Sequence, residues 1–128
     1  MSPQKIKAVI ALVAYLNRNK HDASFKLPRQ IVRKSTGVET INVTGSFDGS
    51  SLDQIKVDDY SLFGELVGSS FNVAIAGEKL VVNSSGTQIQ QIESSQGKTY
   101  HDFSVENTSV RFSDLDGNSY ICEVSQDD

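Results

Sequence analysis

Nine consecutive apolar residues, Ala8 to Leu16, lie inside the opening stretch MSPQKIKAVIALVAYLNRNK, and no comparable run occurs elsewhere in the 128 residues. A run of nine is roughly half of the ~20 residues that a helix needs to cross a bilayer, so it does not form a membrane span. Lys5 and Lys7 ahead of an apolar block have the layout of a secretion signal. The following NRNKHDAS is charged and lacks an A-x-A cleavage pattern, however, so the segment is expected to stay attached. Placed at 100° per residue, Leu12, Leu16, Val9, Val13, Ile6 and Ile10 share an arc of about 160°. Gln4, Lys7 and Arg18 fall on the other side, together with Ala8, Ala11, Ala14 and Tyr15. Pro3 suits a first helical turn, and the Asn/Arg/Lys cluster after Leu16 suits a helix end that favours positive charge. The expectation is one amphipathic helix over residues 3–19, docked by its apolar face onto a core. Binding of this basic helix to an anionic membrane surface is the second reading.

After residue 37 the apolar period changes from that of a helix to two. Ile41, Val43 and Phe47 share one parity in INVTGSF, and Phe71, Val73 and Ile75 share one in SFNVAIAG, where Gly77 and Glu78 mark a turn into KLVVN. GTQIQQIE and KTYHDFSV follow, each bounded by Gly or Ser. These segments predict six to eight mainly antiparallel strands in a sheet that is flat, curled or barrel-like. For the last hairpin, a three-residue turn Leu115-Asp116-Gly117 puts Gly at the left-handed position and sets Phe112 opposite Tyr120. Val110, Phe112, Tyr120, Cys122 and Val124 then face inward, with Arg111 opposite Ile121 on the other face. Two segments admit two readings. LPRQIVRKSTG, residues 27–37, reads as a short second helix from Pro28 to a Gly37 cap or as a basic edge strand. DDYSLFGELVG, residues 58–68, has Asp58 placed to cap a helical turn that buries Leu62, Phe63 and Leu66, against which Gly64 counts. The fold class expected is therefore α+β: an N-terminal amphipathic helix packed on an antiparallel sheet. The chain is read as one domain, residues 1–128, with a helix over 3–19, a basic connector over 20–36 and the sheet over 37–125.

Charge is divided along the chain. Residues 1–34 carry eight basic side chains against Asp22 alone, whereas residues 35–128 carry four basic and fifteen acidic ones. Such a split points to interaction with something charged, the protein's own other half included. On a helix, Arg29 and Arg33 would project together with Lys26 beside them; with Lys34 they form the candidate binding patch. Catalytic chemistry finds little support. His101 and Asp102 are neighbours, and on a regular strand neighbours point to opposite faces, so His101 is expected to sit inward with Phe103 and Val105 as a core or rim residue. No Cys/His/carboxylate cluster has zinc spacing, and Asp114-Leu115-Asp116-Gly117-Asn118 has its Gly fourth where a calcium loop needs it sixth. Neither phosphate-binding Gly-rich fingerprint occurs. The lone Cys122 is neutral to mildly in favour of a reducing compartment. The function expected is a non-enzymatic, cytoplasmic protein-interaction module without cofactor or metal, with another protein as partner. Nucleic-acid binding through the basic N-terminal segment, or a small ligand held in the curled sheet, are the alternatives.

Overall fold

The computed structural model describes residues 1–22, 25–35 and 37–125. A helix, α1 (Pro3–Asn19), precedes ten strands: β1 (Gln30–Arg33), β2 (Glu39–Thr44), β3 (Ile55–Val57), β4 (Tyr60–Gly64), β5 (Ser70–Ile75), β6 (Glu78–Ser85), β7 (Gln88–Ser94), β8 (Thr99–Glu106), β9 (Ser109–Asp114) and β10 (Ser119–Ser125). Each strand pairs antiparallel with its neighbours in sequence, and β1 pairs with β10, so the sheet closes into an up-and-down barrel. The helix-on-antiparallel-sheet class holds. The strand number exceeds the expected six to eight.

The larger difference is where the helix sits. Every side chain from Ala8 to Asn17 is buried, on all sides of the helix, and α1 touches β1, β2 and β7 through β10. It therefore fills the lumen of the barrel instead of covering one face of a sheet. Eight-stranded barrels have interiors just wide enough for their own side chains, and diameter grows with strand number, so ten strands leave room for more. Ala8, Ala11 and Ala14 keep the helix slender on the side opposite its large residues. The 17 residues of α1 span roughly 25 Å at 1.5 Å each, about the length of the longer strands, so both ends reach solvent. Its polar residues cluster there: Gln4, Lys5 and Lys7 at one end, Arg18 and Lys20 at the other. Ser2 caps the first turn, its Oγ accepting from Lys5 N at 3.3 Å, and Pro3 follows where a missing N–H is harmless.

Inward residues of the strands meet the helix in one continuous core that includes Ile31, Ile41, Ile55, Leu62, Val73, Leu80, Ile92 and Phe112. Residues 27–37 form no helix. Gln30–Arg33 pairs on both sides, with β10 and with β2, and is an interior strand of a closed sheet and not an edge. Residues 58–68 likewise begin a strand: Asp58, at φ 53°, turns the chain between β3 and β4, Leu62 and Leu66 are buried, and Phe63 points outward at 53% exposure. The β9–β10 hairpin has the expected register, Phe112 opposite Tyr120 and Arg111 opposite Ile121, with Gly117 at φ 88°. Two of the turns use left-handed residues in pairs or singly, Ala76-Gly77 and Asn107, as tight two-residue hairpins require.

Candidate functional site

A barrel filled by its own helix presents only its two ends and its outer wall to other molecules. The end around the start of α1 is sealed. Lys5 Nζ lies 3.0 Å from Asp58 Oδ2, and Asp58 Oδ1 accepts from Asn42 N at 3.0 Å. Lys7 Nζ stands 5.3 Å above the centre of the Tyr120 ring. Tyr120 donates its hydroxyl to Asp114 Oδ2 at 2.8 Å, while Asp114 also accepts from Asp116 N, Asn118 N and Asn118 Nδ2. Burial works to raise the Asp114 pKa, but these four bonds to the carboxylate outweigh it and hold the group at about 2. Burial, and then donation to Asp114, raise that of Tyr120. Tyr100, Phe103, Phe112 and Tyr120 pack ring against ring beneath, with centroids 5.3 to 6.2 Å apart.

The end where α1 finishes is open. Two adjoining cavities of about 320 and 490 Å³ meet at Lys20, His21 and Gly49. The first is lined by Lys20, His21, Asp22, Phe25, Phe47 and Asp48; the second extends under Leu66, Val67, Ser84 and Gly86. Local chain chemistry explains this shape. The helix ends at Asn19 and β1 begins at Gln30, so the chain passes from lumen to barrel wall at this end. Gly45, at φ 112°, lets the β2–β3 loop press against the Gln54 carbonyl, and Asp48 Oδ1 then accepts from Ser50 N at 3.0 Å and Ser51 N at 2.8 Å. Those amides lower the Asp48 pKa. Phe25 packs between Tyr15, tilted at 5.5 Å, and Phe47, edge to face at 5.8 Å. Lys20 Nζ donates to Leu66 O at 3.0 Å, and partial burial lowers its pKa. Asn17, fully buried, donates to Gly86 O at 3.4 Å, and its Oδ1 has no hydrogen-bond partner.

The four basic residues singled out from the sequence are separated. Lys26 and Arg29 are exposed at the open end, where Arg29 N bonds Ser125 O as β1 begins. Lys34 is exposed at the opposite end, roughly 17 Å from Arg29 along an extended strand. Arg33 alternates inward with Ile31, is 2% exposed, and its charge acts on Lys7, Tyr120 and Cys122. Along an extended strand residues 29 and 33 lie roughly 13 Å apart, and Arg33 faces the core, so the compact helical patch does not form. The open end instead joins Lys26 and Arg29 to Arg18 and Lys20, which were read only as a helix end.

His101 also departs from expectation. A register shift between His101 and Ser104 interrupts β8, and Asp102 adopts φ 58°. The bulge resets parity: Phe103 is buried, His101 is on the outer wall with its side chain 34% exposed, and Asp102 turns back so that its Oδ2 lies 2.9 Å from His101 Nδ1. Neighbours that a regular strand would separate are thus in contact. Among the described residues, no group of three His, Cys, Asp or Glu side chains converges for a metal, and no helix is long and apolar enough to cross a membrane. Comparison of the chain with protein-family models, curated proteins and solved structures gives no match.

Proposed function

We propose that this protein is a non-enzymatic protein-interaction module whose recognition surface is the open end of the barrel. The observation that carries the reading is the contrast between a lumen occupied by α1 and a mouth with two joined cavities that share Lys20 in their lining, with Arg18, Lys26 and Arg29 exposed on the chain segments next to it. Phe25, half-buried on Phe47, supplies an aromatic anchor of the kind that interfaces favour, and the cations around it suit a partner segment that is acidic. Asp22 and Asp48 lie in the same mouth and fix where such a segment's carboxylates can approach. The reading places the protein in the cytoplasm, in keeping with a single buried cysteine whose thiol burial pushes up to about 12.

Two other readings are set against this one. A ligand inside the barrel would have to displace a helix that buries Val9, Ile10, Leu12, Val13 and Leu16 completely. Nucleic-acid binding through the basic N-terminal segment would use the same exposed cations at the open end, without Arg33, which is in the core. The test is affinity capture from the source cell with quantitative mass spectrometry. Lys26→Glu/Arg29→Glu is expected to lose partners that wild type and the opposite-end control Lys34→Glu retain. Equal recovery by all three chains would remove the open end as the recognition surface.

A further inference from the structure

The outer wall at β8, β9 and β10 carries a groove of about 410 Å³ lined by Ser35, Asp102, Arg111, Ser113, Ser119 and Ile121. We infer that this groove is a binding site for the phosphate monoester of a small molecule, with Arg111 as its anchor and Ser113 and Ser119 as hydroxyl donors. It is separate from the open end, and the inference does not rest on the function proposed above.

Arg111 is the first reason. Its diagonal carboxylate neighbour, Glu123, is already engaged, accepting from Ser109 Oγ at 2.7 Å and from Thr108 Oγ1 at 3.5 Å. Among the described residues Arg111 makes no ion pair or hydrogen bond through its side chain. An exposed guanidinium without a partner, in the wall of a concave site, presents its fork of N–H donors to a ligand. The second reason is the density of hydroxyls. His101, Ser113 and Ser119 are cross-strand partners in one row, and the two serine oxygens are 3.3 Å apart. Ser113 follows Arg111 by two residues on the same face of β9, so guanidinium and hydroxyls lie on one side of the sheet. Ser35 adds a buried Oγ with no hydrogen-bond partner.

The third reason is the treatment of the one carboxylate. Asp102 would repel an anion, but the bulge in β8 turns its carboxylate onto His101, with Oδ2 2.9 Å from Nδ1. A carboxylate ligand has two oxygens and is satisfied by the Arg111 fork alone. The three terminal oxygens of a phosphate monoester make use of the serines as well. Ile121, outward on β10, gives the remainder of such a molecule an apolar side chain to lie on.

The experiment is titration of the isotopically labelled full chain with inorganic phosphate, phenyl phosphate, benzoate and a phosphoserine peptide, followed by amide NMR. Saturable shifts at Arg111, Ser113 and Ser119 are expected with both phosphates, with phenyl phosphate the tighter and benzoate at least about ten-fold weaker. Arg111→Gln should abolish saturation while its spectrum stays dispersed, and Ser113→Ala/Ser119→Ala should weaken binding several-fold. Linear, non-saturating shifts, unchanged titration of Arg111→Gln, or benzoate equal to phenyl phosphate would overturn the site. A peptide more than about ten-fold tighter than phenyl phosphate would overturn the small-molecule assignment.

Discussion

The two ends of this barrel are built from the same materials and finish differently. Each has a lysine near the rim, Lys7 in the first turns of α1 and Lys20 just after its last residue, and each has turns rich in Asp, Ser and Gly. At the sealed end the carboxylates are inside the hydrogen-bond network: Asp114 takes four donors and Asp58 joins helix to sheet. At the open end the Asp48 carboxylate serves only its own loop, Lys20 reaches a backbone carbonyl, and Asn17 keeps an unused acceptor. A satisfied network closes one end of a barrel; a chain that must leave the lumen keeps the other open. The difference teaches that one helix can join a closed, hydrogen-bonded end to an open, cavity-bearing one.

The largest effect should come from the helix that joins them. Leu12 is fully buried midway along α1, and Leu12→Ala is expected to cost about 3 kcal/mol or more in urea unfolding, because the barrel wall cannot collapse onto the cavity. A loss under about 1 kcal/mol would mean that α1 lies loosely on the barrel and that the two ends are not coupled through it. Much of this was legible in the sequence. The period of α1 and the inward parity of the strands and of the last hairpin follow from apolar spacing alone. The burial of Ala8 to Leu16 on every side was also written there: the stretch contains no charged or amide residue, so no face was available for water. The arc of large residues drew attention from the alanines that let a helix thread a lumen. Closure was not legible, since β1 and β10 are joined by register and not by any local signal, and Arg33 was placed inward by that pairing. Nor was the bulge at Asp102, where one non-glycine residue at positive φ reverses the parity on which the reading of His101 rested.

The sealed end should be sensitive to its carboxylate. Asp114→Ala leaves the Tyr120 hydroxyl and the amides of Asp116 and Asn118 short of an acceptor, and is expected to cost about 2 kcal/mol. The same group sets an acid limit. Its pKa in the folded state is about 2, below the ordinary 3.8, so its contribution is present above pH 4 and is lost as pH falls from there towards 2. Wild type should therefore lose stability across that window more steeply than Asp114→Asn. Parallel pH profiles would place the acid sensitivity elsewhere.

The smallest effect is expected at the open end, and its smallness is the point. Lys20→Met removes the bond to Leu66 O, but that carbonyl stands at the edge of a cavity where water can replace the ammonium. It also removes a cation that partial burial disfavours, since the Lys20 pKa is lowered. A group with a lowered lysine pKa costs stability while it is charged and ceases to do so only as pH rises through that pKa, so its loss at neutral pH is partly a gain. The two contributions oppose, and the unfolding midpoint should stay within about 0.5 kcal/mol of wild type. Capture of an acidic partner should fall in the same variant, because the ammonium is one of four cations at that rim. A destabilisation above about 1.5 kcal/mol would show that Lys20 closes its end as Asp114 closes the other, and the mouth would then be a structural seam instead of a recognition surface.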